Sequence, residues 1–416
     1  MCAMMFEGDW KQISERQVSY IADVLKKRGF DGAKLTIEPV GKPGDNYAAN
    51  VKRISANKNG QVFKMIVKIA PTIEQIRKVI NTAEIFQNEC LMYTKVLPKL
   101  TEMENRADIP ESEQLRYAAC YGCLMEEPNE VILLEDLQVS GYEMRDRFKS
   151  LSNDDIKLVL KNFAMLHSST YALKTQEPDT YSEIKENLYN LAELFSKSEM
   201  AMYFTQLEND VMSMMDNEKY KNAIKGIVTQ MTDNMIKLCK MDKDAKYSII
   251  QQGDAWTNNI LFQMEEGKSV QCCMVDYQQS RINSPVGDLL YMLFNCSDYE
   301  TRAQHFHEWI DFYHFELEKR LANYGLKANF VYPRGQLDAD LKRHGRVSLG
   351  QAVLLSSVLL RESGDAAKLQ AAMEEGVKIE DVMDEFRMSA MTAGFIQKYK
   401  SRIEGLVDSH LALGLV

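Results

Sequence analysis

Apart from one hairpin, the strong strand signals in this 416-residue chain fall in its first third, and that asymmetry limits the fold more than any other feature. Leu35-Thr36-Ile37-Glu38 reads as a strand, Gly41-Lys42-Pro43-Gly44-Asp45-Asn46 as a loop of turn formers, and Tyr47 to Ile54 as a second strand. Asn57-Lys58-Asn59-Gly60 is a hairpin signal, and Gln61 to Ile69 follows as a third strand. That strand carries Phe63, Met65, Val67 and Ile69 on one face and Val62, Lys64, Ile66 and Lys68 on the other. Tyr117 to Met125 and Val131 to Leu134 add two more strands, joined by a turn at Pro128-Asn129.

Helical periodicity surrounds this block. Ile13, Val18, Ile21, Ala22 and Leu25 predict a helix over 11–29, ended by Gly29. Ile76, Val79, Ala83, Phe86, Cys90, Tyr93 and Leu97 form an apolar stripe that predicts one helix from Glu74 to Leu97, stopped by Pro98. Beyond Leu137 the pattern is helical, apart from one hairpin within 248–276. The expected architecture is therefore α+β and bilobal: an antiparallel five-stranded sheet with one key helix over 1–134, a hinge at 135–140, and a larger, mostly helical lobe over 141–416. A short junction of this kind implies two lobes that share a cleft.

With 50 basic and 60 acidic residues the chain carries a net charge of −10, which argues against nucleic acid as its main partner. No apolar run reaches the ~18 residues of a membrane-spanning helix. Met1 to Trp10 has no basic region followed by an apolar stretch, so no secretory signal is expected. Eight cysteines are too sparse for a disulfide scaffold, and the only C-x-x-C, Cys120 to Cys123, has no second pair at zinc-ribbon spacing. The expectation is a cytoplasmic protein without membrane partners, its thiols reduced and buried.

The segment Ile249-Ile250-Gln251-Gln252-Gly253-Asp254-Ala255-Trp256-Thr257-Asn258-Asn259-Ile260-Leu261-Phe262, followed by Met274-Val275-Asp276-Tyr277-Gln278, holds the candidate chemistry. Asn259 opens a short apolar strand, Glu265-Glu266-Gly267-Lys268 turns, and Ser269 to Asp276 returns. Pairing symmetric about that turn sets Asn259 beside Asp276 at the open end, with Asp254 in the loop just before. Two carboxylates and an amide oxygen are hard ligands of the kind that hold Mg²⁺ together with substrate phosphates.

This Gly-Asp-x-Trp-x-x-Asn motif, with Asp-Tyr-Gln after it, resembles the catalytic and metal-binding loops of the aminoglycoside phosphotransferase and choline kinase superfamily, and most closely its ecdysteroid kinase-like branch. Further landmarks agree in order across about residues 40–295: Gly44-Asp45-Asn46-Tyr47 with Arg53, Val67-Lys68, Phe86-x-x-Glu89-x-x-x-Tyr93, Leu133-Leu134-Glu135-Asp136-Leu137, Leu166-His167-Ser168 and Ser284-Pro285-x-x-Asp288-Leu289. The resemblance implies a protein-kinase-like fold that transfers the γ-phosphoryl group of ATP, with Mg²⁺, to a small-molecule hydroxyl. It further implies an ecdysteroid or similar apolar alcohol as acceptor. Carried over residue by residue, Asp254 becomes the catalytic base, and Asn259 and Asp276 the metal ligands. Lys68 contacts the α/β-phosphates and Glu89 pairs with it. The loop at Gly44 and Asn46 meets phosphate, and Glu135 and Leu137 meet the adenine. A catalytically weak pseudokinase that binds an apolar ligand, and a choline- or aminoglycoside-type kinase, are the alternatives.

Two positions depart from the family pattern: Gln252 stands where the family usually has His, and Ala49 where it usually has Ser. Being two residues before Asp254, Gln252 is expected to act only by bracing the loop. Asp288 is expected to cap the next helix or brace the catalytic loop. His167 reads as a satisfied core histidine, and the methionines around 202–215 as core filler.

Overall fold

The computed structural model describes residues 5–8, 10, 13–41, 50–190, 193, 200–361, 364 and 391–416. Its first lobe contains β1 (Met5–Gly8), α1 (Glu15–Lys27), β2 (Lys34–Pro39), β3 (Asn50–Lys58), β4 (Gln61–Ile69), α2 (Glu74–Ile80), α3 (Thr82–Leu91), α4 (Leu97–Arg106), β5 (Cys120–Leu124) and β6 (Val131–Glu135). The sheet has six strands in the order β1-β2-β3-β4-β6-β5, one more than the sequence predicts. The unforeseen strand is β1, which pairs parallel with β2 at the edge, and all four of its residues are exposed. The other pairs are antiparallel.

The two faces of β4 separate as their alternation requires. Met65, Val67 and Ile69 pack with Leu35, Ile37, Ile54, Leu133 and the Ile21, Val24 and Leu25 stripe of α1. Burying each such side chain contributes roughly 1.5–3 kcal/mol. Ile66 and Lys68 face the opposite side, toward α3 and the second lobe. α1 begins later than the predicted position 11, because Ser14 caps it in a box with Gln17.

The predicted helix from Glu74 to Leu97 is not continuous. Asn81 adopts a left-handed conformation (φ 54°) and splits it into α2 and α3. Pro98 does not end it either. A π-helical turn at Met92–Val96 shifts the carbonyl that a proline ring would strike, so Pro98 sits in the first turn of α4.

The second lobe contains β7 (Tyr142–Met144), α5 (Asn153–Gln176), α6 (Pro178–Asn187), α7 (Met200–Met214), α8 (Glu218–Ile224), α9 (Met231–Lys243), β8 (Ile249–Ile250), β9 (Ile260–Glu265), β10 (Lys268–Met274), β11 (Ile282–Asn283), α10 (Val286–Cys296), α11 (Tyr299–Asn323), α12 (Ala328–Val331), α13 (Arg334–Leu359) and α14 (Ala393–Ala412). Its core is built on α5, buried almost throughout from Ile156 to Leu173, and on α10. β10, β9 and β7 form a three-stranded sheet, and β8 pairs with β11 beneath the candidate loop. The fold is thus a kinase-like pair of lobes, a sheet lobe followed by a helical one. Among the described residues no helix is long and apolar enough to cross a membrane.

Candidate active site

The cleft between the lobes is lined on its apolar side by Val51, Ile66, Ala118, Leu134, Met144 and Leu261. Its polar end carries Lys68, Glu89, Asn259 and Asp276, and its rim carries Glu135, Asp136, Leu137 and Gln138.

Lys68 projects from β4 into this polar end and is almost fully buried. Its Nζ donates to Glu89 Oε2 at 2.5 Å and to Asp276 Oδ1 at 2.8 Å. Burial would lower the Lys68 pKa, but Asp276 and Glu89 outweigh it and hold the amine charged above its ordinary range. One ammonium cannot neutralise two carboxylates. The deficit falls on Glu89, the more deeply buried, whose pKa burial pushes up to about 7 while Oε1 is left with no hydrogen-bond partner.

The predicted direct pairing of Asn259 with Asp276 is off by one residue. The strands turn on Glu266-Gly267, with Glu265 opposite Lys268, which alone would set Asn259 opposite Met274; the irregularity between Ser269 and Gln271 makes up one place, so Met274 lies opposite Ile260. Asn259 therefore pairs with Val275, whose N–H donates to the Asn259 carbonyl at 2.9 Å. Asn259 also precedes the strand, at the end of a short 3₁₀ turn from Thr257. Asp276 leaves its strand with φ 61°, and its side chain still lines the same polar end as Asn259.

Asp254 is held in a tight web. Asn259 Nδ2 donates to its carbonyl at 2.9 Å and to Oδ2 at 3.3 Å, and Tyr291 donates its hydroxyl to Oδ1 at 2.6 Å. Burial, reinforced by the charge of Asp276, raises the Asp254 pKa from 3.8 to about 7. Sequence reasoning missed Tyr291. It lies one helical turn after Asp288 on α10, a spacing that puts both on one face toward the loop.

Gln252 spends both ends of its amide on the loop. Oε1 accepts from the Asp254 N–H at 2.6 Å, and Nε2 donates to the carbonyls of Val275 at 2.8 Å and Asp276 at 3.1 Å. One side chain thus ties the loop of Asp254 to the strand end of Asp276. Asp288 receives the backbone N–H groups of Gln252 at 2.9 Å and Gly253 at 2.8 Å. His167, fully buried, sits between Asp288 Oδ2 at 3.1 Å and the Tyr313 hydroxyl at 2.8 Å, the satisfied core position its sequence context implies. Gly253 has φ +87°, and a Cβ there would meet the Gln279 carbonyl at 2.3 Å, so no other residue fits without moving the loop.

Glu135 closes β6, and Leu137 opens a 3₁₀ turn capped by Asp136. Arg53 on β3 clasps this rim: Nε and Nη2 fork onto the Asp136 carboxylate at 2.6 and 3.2 Å, and Nη2 reaches Gln138 Oε1 at 2.6 Å. The Glu135 carboxylate turns away, to Arg116 at 2.5 Å and the Ala119 N–H at 3.1 Å. Gly44 and Asn46, with Ala49, lie outside the described residues.

The donor set at the polar end fits Mg²⁺. Asp276 offers a carboxylate, and Asn259, its Nδ2 spent on Asp254, offers an amide oxygen. Among the described residues no group of three or more His, Cys, Asp or Glu could hold a metal unaided, so substrate oxygens would have to complete the shell.

Among solved structures, the fold is similar to the GDP complex of aminoglycoside 2'-phosphotransferase-IIIa at 12% identity and a TM-score of 0.44, covering 93% of this chain and 99% of that one. It is also similar to an ethanolamine kinase of Plasmodium vivax at 13% identity and a TM-score of 0.40, covering 93% and 91%. Among curated proteins, none matches. The sequence profile described as the ecdysteroid kinase-like family matches residues 43–326, and the chain belongs to that family of kinase-like phosphotransferases.

Proposed function

We propose that this chain transfers the γ-phosphoryl group of ATP, with Mg²⁺, to a hydroxyl of a small apolar molecule, an ecdysteroid or a related alcohol. What supports this is the meeting, at the polar end of an apolar slot, of a buried ammonium and two oxygen donors, Lys68, Asn259 and Asp276, with the Asp254 carboxyl, its pKa raised to about 7, hydrogen-bonded to Asn259. Phosphoryl transfer needs little else, because it rests on positioning and charge neutralisation.

In this reading the adenine lies in the apolar slot against the backbone of Glu135 and Leu137. The loop around Gly44 and Asn46 presents N–H groups to phosphate. Lys68, oriented by Glu89, contacts the α/β-phosphates. Asn259 and Asp276 hold Mg²⁺, which when bound neutralises charge on the phosphate oxygens. Asp254 orients the acceptor hydroxyl and takes its proton, a task suited to a pKa near the working pH. An apolar acceptor is supported by the Trp256, Tyr291 and Leu359 cluster, because Tyr291 itself touches Asp254. Residues 1–134 and 141–416 serve as the nucleotide and acceptor halves, joined by 135–140, and the protein works in the cytoplasm.

The bracing role of Gln252 favours an active enzyme over a pseudokinase, since its amide makes the contacts that hold both loops together. The test is a screen of steroid and xenobiotic alcohols with ATP and Mg²⁺, read by mass spectrometry as the gain of one phosphoryl group. A product formed by the native chain and absent with Asp254→Asn is expected. Saturable alcohol binding without any phosphorylated product would establish the pseudokinase instead.

A further inference from the structure

Asn88 stands next to Glu89 inside α3 and is fully buried, at a position where an amide is a weaker helix former than leucine or methionine. Consecutive helical residues point about 100° apart, so while Glu89 meets Lys68 its neighbour turns to the helical lobe. There the Asn88 amide is used at both ends. Oδ1 accepts from the Tyr189 N–H at 2.8 Å. Nδ2 donates to the carbonyls of Tyr189 at 3.0 Å, Gln278 at 3.2 Å and Ser280 at 3.3 Å. Gln278 and Ser280 follow closely on Asp276. The two carboxylates that share the Lys68 ammonium therefore sit on segments fastened to each other through Asn88.

The continuation of α3 is anchored the same way. The Tyr93 ring, in the π turn, meets Tyr277 edge-on at 5.5 Å. On α4, Lys99 and Arg106 both pair with Glu177 just after α5, Lys99 at 2.9 Å. Toward the sheet, α3 offers the Lys68–Glu89 pair and apolar packing, with Ile85 and Phe86 in one cluster with Ile132 and Leu134. Apolar packing is non-directional, so that face can slide where hydrogen bonds would have to break. Cys90, beside Glu89, is half-exposed, as are Cys120 and Cys123, against the expectation of buried thiols, so that flank of α3 is not sealed into the core of the sheet lobe. α2 is anchored to the opposite lobe: Arg77 forks onto Glu130, just before β6, at 2.9 and 2.5 Å and reaches Glu127 at 3.2 Å. Asn81, left-handed between α2 and α3, is where the chain leaves one set of anchors for the other.

We infer that α3 and α4 belong mechanically to the helical lobe, that Asn81 is their joint with the sheet lobe, and that Asn88 is the positioning residue that holds Glu89 and Asp276 at one fixed spacing. Opening of the cleft then withdraws Lys68 from both carboxylates at once. Closing returns it to two acceptors that have not moved relative to each other, so Lys68 is oriented only in the closed cleft. The consequence for catalysis rests on the phosphotransfer reading; the rigid unit does not.

The test has two arms. The first is amide hydrogen exchange on the full chain without nucleotide or metal. Peptides from α3 and from 276–283 should exchange through one shared opening, and Asn88→Leu should speed both about tenfold or more while α2 and β4 keep the parent's rates. Asn88→Ser, which keeps one short donor, should fall between, and it serves if the leucine variant does not fold. An α3 that opens together with α2 and β4, or that neither substitution loosens, overturns the unit. The second arm is a double-mutant cycle on phosphoryl transfer. Asn88→Leu should lower kcat about tenfold or more and change KM for ATP less than about threefold, because misplacement costs rate before binding. In a Glu89→Gln background the same substitution should cost less than about twofold, since Asp276 keeps its own tie to Gln252. An equal loss in both backgrounds shows that Asn88 does not act through Glu89 and overturns its positioning role. A parent that forms no phosphorylated product counts against the phosphotransfer reading alone, and the exchange arm still decides the unit.

Discussion

Replacing Asp254 by Asn should make the protein more stable and far less active, and the two effects can be read separately. The variant is nearly isosteric. Its side-chain oxygen can still accept from Tyr291, whose bond to Asp254 is 2.6 Å. What disappears is a buried charge facing Asp276. The Asp254 pKa moves from 3.8 to about 7 on folding, and at 1.36 kcal/mol per pKa unit the ionised carboxylate opposes folding by at most about 4 kcal/mol. Coupling to Asp276 shares part of that, so a gain of about 2–3 kcal/mol is expected. The sign follows from proton counting. Between pH ~4 and ~7 the native Asp254 binds more protons than the unfolded one, so native stability falls as pH rises through that window and is flat above it. Urea unfolding at pH 5, 6.5 and 8, without nucleotide or metal, should show Asp254→Asn gaining on the parent as pH rises. Turnover should meanwhile fall by about 10²–10⁴, with ATP binding within a few-fold of the parent. A stability loss that is the same at every pH would refute the argument, because it would mean that the carboxylate is stabilising where it sits.

Asp276→Ala should abolish most of the Mg²⁺-dependent rise in melting temperature caused by ATP, because a ligand stabilises only through the state it binds; an unchanged shift removes Asp276 from the site. Gln252→His should change kcat by less than about tenfold, under ~1.4 kcal/mol of barrier, since a ring can offer one donor and one acceptor, whereas Gln252→Leu, which offers neither, should lose more than that. Gly253→Ala should lose activity and unfold more readily, by at least ~1–3 kcal/mol, given the φ of +87° and the 2.3 Å approach to the Gln279 carbonyl; a variant as stable and active as the parent would show that the loop has room to move.

The sheet was legible because its faces alternate. Met65 and Val67 against Ile66 and Lys68 fix which side meets α1 and which side meets the cleft. β1 was not legible, since four exposed residues carry no alternation to read. The break at Asn81 was hidden by an apolar stripe that continues across it, and Pro98 misled because a π turn, which has no composition signal, absorbs it. Lys68, Glu89, Asn259 and Asp276 do converge on one cleft, and the one-residue difference in register arises because the hairpin turns on Glu266-Gly267, an offset of two places of which the irregularity beside Val270 makes up only one. The Arg53 clasp and the Tyr291 contact are tertiary facts, although the spacing of Tyr291 from Asp288 was a clue in plain view.

The Arg53 clasp also decides where the molecule can bend. Asp136 and Gln138 travel with the sheet lobe because Arg53 grips both, and β7, from Tyr142 onward, is stitched to β9 on the helical side. Between these two anchored ends lies Val139–Gly141, where Gly141 has φ +77° and a Cβ would meet no other atom, so this is the stretch the clasp leaves free to turn. About that pivot Lys68 swings with one jaw and Asp276 stays with the other, so their 2.8 Å ion pair is a latch across the mouth. On the proposed function, a cation competing for Asp276 would slip that latch, and the same carboxylate would be both an anchor for cargo and the catch that governs entry.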